Sequence, residues 1–259
     1  MTRRIATIAL GAFKESVRER VLYNLIVFAF LMIAAAVLLG SISVGVERFI
    51  LVNFGLAAIS FFGFLMAIFI GIGLVSKEIE RRTIYNIVSK PVSRAEFILG
   101  KYAGLLLTLL VNIAIMTAGF YLALAFQKGG LIRNDLSLLV PVYFILLQFA
   151  ITVGVAIFFS CLSTPILSAV FTLCLLVIGN FSSEMRRFGQ ESGSPWLEKV
   201  TAGLYYLLPN FSNFNVITPA AHGARISGLL ITANTCYAFL YIAILVSGSI
   251  LIFEEREFR

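Results

Sequence analysis

Six long apolar runs, separated from one another by clusters of charge, constrain this chain more than any other feature. They cover 21–39, 49–75, 99–126, 138–161, 166–181 and 229–253. A helical crossing of a bilayer needs about 20 consecutive apolar residues. The fifth run is short for that, and it can be extended through Ser182 and Ser183. A β-barrel also satisfies its backbone in lipid, but it is written as short alternating strands, whereas these runs are continuous. With 60% hydrophobic and only 13% charged residues, a water-soluble domain of this length is excluded. The sequence predicts an all-α membrane protein, a single domain over 1–259 with six transmembrane helices.

Orientation follows from the basic residues, which stay on the cytoplasmic side during insertion. One set of gaps collects Arg3, Arg4, Lys14, Arg18, Arg20, Lys77, Arg81, Arg82, Lys90, Arg94, Lys101, Arg256 and Arg259, which is 13 of the 20 Lys and Arg residues. The other set holds Arg48, Lys128, Arg133, Arg186, Arg187, Lys199 and Arg225. Both termini are therefore expected in the cytoplasm. The net charge of +7 is a topology signal, and no nucleic-acid partner is expected. Arg3 and Arg4 do not begin a twin-arginine leader, because the apolar stretch Ile5 to Phe13 is short and runs into Lys14, Glu15 and Arg18. As a helix, residues 1–20 place Ile5, Ile8, Ala9, Ala12 and Phe13 on one face and Arg4, Lys14 and Arg18 on the other. That predicts a helix along the cytoplasmic interface, with a plain charged anchor as the alternative.

Little in the sequence suggests bond-making chemistry. Cys161, Cys174 and Cys236 fall within or at the edge of spans and read as small buried apolar residues. His222 has no partner at ligand spacing, so no metal site is expected. No ionisable residue occupies the middle of a run, where ion-coupled carriers and proton relays place working charges. Asn24, Asn112, Gln148, Thr152, Thr172, Asn234 and Thr235 do enter the runs. They are read as helix-to-helix hydrogen-bonding groups or as the lining of a pathway. A secondary transporter or channel thus stays open as the alternative to an ATP-driven permease. An intramembrane enzyme lacks Gly-x-Ser-x-Gly, His-Glu-x-x-His and paired buried aspartates.

The connection at 76–98 carries the most information. Glu78 and Arg82 stand at i and i+4 with the carboxylate first, and Ile79, Ile84, Ile87 and Val88 form a mixed apolar stripe, so a short amphipathic helix is predicted. Pro91 biases Lys90 away from helix and ends it. Ser93 and Glu96 then form a capping box, flanked by Val92 and Phe97 as a hydrophobic staple, and the third span starts there. Such an elbow can transmit a push from a partner protein, and a solvated loop that merely fixes topology is the other reading.

In the long segment 182–228, Ser194 with Pro195 predicts a helix start. The helix that follows carries Trp196, Tyr205 and Tyr206 to the aromatic belt of the membrane and is stopped by Pro209. Asn210 to Ala221 is too polar to cross lipid and too apolar to float free, so a short re-entrant helix is expected. The end, Glu254 to Arg259, reads as a charged tail.

Lys77-Glu78-Ile79-Glu80-Arg81-Arg82-Thr83, followed by Lys90-Pro91-Val92-Ser93-Arg94 and Gly100-Lys101, resembles the pattern of ABC-2 family ABC transporter permeases after their second span. The likeness extends over the chain, and Tyr205-Tyr206-Leu207-Leu208-Pro209-Asn210-Phe211 resembles the branch linked to multicopper-enzyme maturation and to sodium or drug efflux. One departure is Arg82, where many members carry Gly before the threonine, which favours continuous helix over a tight turn. The resemblance implies a coupling helix at about 77–89 that docks into an ABC ATPase subunit, present in two copies. Lys77, Glu78, Glu80, Arg81, Arg82, Thr83, Tyr85, Lys90, Pro91, Ser93 and Arg94 would form that contact. It also implies a homodimer or a heterodimer with a related permease, an outer gate at Tyr205, Tyr206, Pro209, Asn210 and Phe211, export as the direction, and a bacterial or archaeal inner membrane as the location. The chain contains no phosphate-binding Gly-x-x-x-x-Gly-Lys-Ser/Thr loop. ATP and magnesium are accordingly expected on the partner, with no cofactor and no enzyme activity in this chain. An apolar pathway suits a lipid-like or amphipathic cargo; an ion, a drug, and metal or sulfur delivery fit the resemblance as well.

Overall fold

The computed structural model describes residues 2–42, 45–80, 93–128, 133–224 and 226–255, and among them every regular element is helical. Helix α1 covers Thr2–Val17, α2 Arg20–Ile42, α3 Glu47–Glu80 and α4 Arg94–Lys128. A 3-10 turn, Arg133–Leu138, leads into α5 (Leu139–Leu162), which is followed by α6 (Pro165–Asn180), α7 (Ser182–Glu191) and α8 (Pro195–Leu207). A second 3-10 turn, Phe211–Phe214, and the five-residue α9 (Ile217–Ala221) precede the last helix, α10 (Gly228–Glu255).

Four segments are long and apolar enough to cross a membrane: Glu47–Gly73, Arg94–Phe126, Asp135–Leu162 and Gly228–Phe253. A fifth results if α6 and α7, bent by 56° at their junction, count as one broken span. The first predicted run forms α2, whose described apolar part, Leu25–Gly40, is shorter than the others. The fifth run is the one that changes shape. Rather than a straight continuation through Ser182 and Ser183, the chain breaks at Phe181 and turns aside into a polar helix.

Helix α5 is the central post, with 78% of its apolar window buried against 22% for α10. Phe144, Phe149, Ile151 and Val153 have essentially no exposed surface. Lipid is as apolar as leucine, so helices associate through close packing at small residues rather than by expelling water. The contacts follow that rule. A Cβ on Gly63 of α3 would lie 2.1 Å from the Phe149 ring, one on Gly55 2.5 Å from Phe120 of α4, and one on Gly119 2.0 Å from Phe30 of α2.

Two expectations change here. Cys161 is buried as predicted, but Cys174 on α6 and Cys236 on α10 are exposed, because both helices sit at the edge of the bundle. Helix α3 also runs without a break through Glu80. At 1.5 Å per residue its 34 residues extend about 50 Å, well beyond the roughly 30 Å hydrocarbon core. Lys77, Glu78 and Glu80 therefore lie in the last turn of α3, and the rest of the expected coupling helix, 81–89, lies outside the described residues.

Candidate functional site at the two ends of the bundle

One end is organised around the start of α4. The Ser93 N–H donates to Glu96 Oε2 at 3.1 Å and the Glu96 N–H donates to Ser93 Oγ at 3.2 Å, so the predicted capping box is formed. Arg94 Nη1 donates to the Phe253 carbonyl near the end of α10 at 2.8 Å, and the Phe97 and Phe253 rings stack with centroids 5.7 Å apart. On the other side lies α1. Glu96 is 5% exposed and lies 4.0 Å from the Arg4 guanidinium, while Lys101, 4% exposed, lies 3.7 Å from Glu15.

Two glycines let α1 come this close. A Cβ on Gly100 would stand 2.7 Å from Ile8 Cβ, and one on Gly104 would stand 2.5 Å from the Ala9 carbonyl oxygen. The apolar face predicted for α1 is thus occupied by α4 itself, with Ala12 and Ser16 buried against it and Arg4, Lys14 and Arg18 exposed. Among the residues expected to meet an ATPase, the structure brings together Ser93 and Arg94 at this clamp. Arg81, Arg82, Thr83, Tyr85, Lys90 and Pro91, with Val92 of the staple, lie outside the described residues.

The opposite end is closed by the segment between α8 and α9. Pro209, Asn210, Phe211 and Phe214 are buried and form a plug. Side chains from two helices hold its backbone. Gln148 Nε2 of α5 donates to the Phe211 carbonyl at 3.0 Å, and Asn234 Nδ2 of α10 donates to the Asn213 carbonyl at 2.9 Å. The Asn210 N–H donates to the Tyr237 hydroxyl at 2.9 Å, and the Tyr241 hydroxyl donates to the Leu207 carbonyl at 2.9 Å. Asn210 Oδ1 accepts from Ser182 Oγ at 2.7 Å and from Ser212 Oγ at 2.5 Å, whereas its amide nitrogen is buried without a partner. The plug presses on the α6–α7 break: a Cβ on Gly179 would lie 2.4 Å from the Pro209 carbonyl oxygen and 2.5 Å from the Phe211 ring.

The five residues expected at an outer gate therefore divide. Pro209, Asn210 and Phe211 belong to the plug, while Tyr205 and Tyr206 lie on α8 outside it, with the Arg186 guanidinium 4.6 Å and 5.3 Å from their ring centroids. Trp196 and Tyr206 are exposed, as residues meeting a membrane interface would be. Ser194 occupies the N-cap position of α8 with Pro195 at the first turn, but its hydroxyl makes no capping bond. Where a short re-entrant or half-length helix was expected, the structure has the Phe211–Phe214 turn and the five-residue α9.

The polar residues within the runs also sort themselves. Gln148 and Asn234 bond the plug, and Thr235 pairs with Tyr143 across α5 and α10 at 2.9 Å. Asn112, Thr152 and Thr172 bond carbonyls one turn back in their own helices. The Asn24 side chain lies outside the described residues.

Sequence reasoning passed over one strong contact at the plug end. Arg48, at the start of α3, donates to Asp135 Oδ1 at 3.0 Å, and Asp135 is 2% exposed. The Tyr121 hydroxyl of α4 donates to the Asp135 carbonyl at 2.9 Å. These contacts frame the plug by joining the outer ends of α3, α4 and α5, and nothing in the linear spacing of residues 87 apart announces them. Among the described residues no group of three His, Cys, Asp or Glu side chains is placed to hold a metal ion.

The arrangement is a helical bundle anchored by charge where α4 begins and closed by a hydrogen-bonded plug at its far end. A comparison with curated proteins finds no match. The sequence model for ABC-2 family transporter proteins matches residues 6–258, nearly the whole chain. Members of that family are multi-pass membrane components of transporters, are not themselves catalytic, and typically pair with an ATPase subunit. On this match the chain belongs to the ABC-2 family of transporter proteins.

Proposed function

We propose that this chain is the membrane-spanning subunit of an ATP-driven exporter in a bacterial or archaeal inner membrane. In this reading it has six spans with both termini in the cytoplasm, two permease chains, and an ATPase subunit under each. The permease chains form a homodimer or a heterodimer with a related chain. ATP and magnesium reside on the ATPase, and this chain contributes no catalytic group.

The observation that carries the reading is the clamp at the start of α4. A push delivered between Lys77 and Arg94 meets a helix whose first turn is capped by Ser93 and Glu96, tied to α10 through Arg94 and Phe253, and packed on α1 at Gly100 and Gly104. Three helices then move together instead of one loop absorbing the displacement. At the far end, the plug built from Pro209, Asn210 and Phe211 serves as the outer gate, with Gln148 and Asn234 as its fastenings. Tyr205 and Tyr206 serve it from α8.

Co-purification of the tagged chain with its genomically adjacent ATPase, in detergent, tests the reading. The wild type is compared with the double variant Glu78→Ala and Arg82→Ala. A wild-type complex that hydrolyses ATP, and a variant complex that dissociates or loses coupling, support the proposal. A chain that purifies without any ATPase and is indifferent to both changes refutes it.

A further inference from the structure

The plug has one polar atom that none of its fastenings reaches. Asn210 is 3% exposed, and with its Oδ1 taken by the Ser182 and Ser212 hydroxyls its amide nitrogen is left as a buried donor without an acceptor. Buried donors are nearly always paired in folded proteins, and an exception marks either strain or a place where something else supplies the acceptor.

A cation without a counter-ion lies beside it. Arg186 stands one helical turn after Ser182 on the same face of α7, and Ser182 donates to Asn210. The Arg186 guanidinium rests over the Tyr205 and Tyr206 rings and makes no hydrogen bond or ion pair with any described residue. Arg187, the next residue, has its charge met by Glu191 at 3.5 Å. Tyr205 is within electrostatic range of the Tyr237 hydroxyl, which accepts the Asn210 N–H. The path from Asn210 through Ser182, Arg186, Tyr205 and Tyr237 thus returns to Asn210, and the unpaired amide nitrogen and the uncommitted guanidinium belong to one small locus. Glu184, two residues before Arg186, is exposed and on a different face of α7. Stacking occupies the face of a guanidinium and leaves its edge, with the N–H fork, for a planar acceptor. A carboxylate or phosphate accepts from that fork through two oxygens and has lone pairs left for an amide donor, whereas a cationic ligand would meet the charge of Arg186.

We infer that Arg186 and Asn210 form a seat for an oxyanion beside the plug. On the exporter reading proposed above, on which this part rests, the occupant is the carboxylate or phosphate head of an amphipathic cargo leaving past the closure. Arg186 supplies the charge and the fork, and Asn210 Nδ2 supplies a further hydrogen bond. Because Asn210 belongs to the plug, filling the seat ties the cargo to the closure itself.

Titration of the purified chain in a neutral detergent, followed by its melting temperature, tests this. The probes are dodecyl phosphate, dodecyltrimethylammonium with the same tail, and inorganic phosphate. The wild type is expected to bind dodecyl phosphate more tightly than either of the others and to release it to excess inorganic phosphate. Arg186→Gln should weaken dodecyl phosphate by about 10- to 100-fold and leave the ammonium probe unchanged, which loss of folding would not do. Asn210→Asp, close in shape but without the donor, should weaken it as well, whereas Arg187→Gln should not. An Arg186→Gln variant that keeps its preference for phosphate, or an Arg187→Gln variant that loses as much, overturns the seat. Equal affinity of the wild type for dodecyl phosphate and inorganic phosphate overturns the assignment to a cargo head. The binding readout needs no ATPase, so its failure is distinct from failure of the exporter reading.

Discussion

The clamp at the start of α4 and the plug before α9 solve the same problem, fastening an irregular piece of chain to a bundle of apolar helices, with different chemistry. At the clamp, full charges make the ties directly: Arg4 to Glu96, Lys101 to Glu15, and Arg94 to a carbonyl of α10. At the plug, charge is confined to the frame, in Arg48 and Asp135, and the segment itself is held by neutral side chains donating to backbone carbonyls. Breaking a buried ion pair strands a charge, whereas a neutral hydrogen bond contributes about 1 kcal/mol net. The proposed lever suits the first kind of bond, and the proposed outer gate suits the second.

Five changes test that contrast, from the largest expected effect to the smallest. Asp135→Ala leaves Arg48 without its carboxylate and should cost about 3 kcal/mol of stability, read as loss of the folded protein in a detergent melting assay without any specific effect on coupling. Gly104→Ala and Gly179→Ala form a matched pair, since each added methyl meets a carbonyl oxygen at 2.5 or 2.4 Å. Both should cost about 1–3 kcal/mol but fail differently in proteoliposomes. The first should lower substrate-stimulated ATP hydrolysis, and the second should raise passive leak. If both change the same readout, the division between lever and closure is wrong.

Gln148→Leu leaves the buried Phe211 carbonyl without its donor and should cost about 1–3 kcal/mol. Its check is faster labelling of a cysteine placed at Ser212 under conditions where the rest of the protein is unchanged. The smallest effect belongs to Arg187→Ala, which removes an ion pair to Glu191 in which both side chains are largely exposed. Stability and transport should stay at wild-type levels, because such pairs contribute little.

The capping box of the clamp was legible in the sequence, while the clamp's ties to α1 and α10 and the hydrogen bonds of the plug were not, for a physical reason. A capping box is a local pattern, and Ser93 with Glu96 announces itself within four residues. The helix bounds were equally local: the sixth run was placed at 229–253 and the apolar part of α10 covers Gly228–Phe253. Gly100-x-x-x-Gly104 was also on the page as a small-residue packing motif and would have revealed the seat of α1. The plug depends on pairs far apart in the chain, such as Gln148 with Phe211 and Ser182 with Asn210, and no periodicity reports a contact of that separation. The 56° bend between α6 and α7 was no more readable from the run, since Gly179 beside it packs on Pro209 and Phe211 from far along the chain.

The exposed cysteines give the molecule a built-in ruler. Cys174 lies on α6, the helix that abuts the plug at Gly179, and Cys236 lies on α10 between Asn234 and Tyr237, which hold the plug from the other side. Cys161 is buried and so shielded from a maleimide or methanethiosulfonate reagent. Spin labels can therefore be attached to Cys174 and Cys236 in the natural sequence. Their dipolar coupling, followed through a nucleotide cycle, would test the proposed opening as a change in distance without altering a single residue.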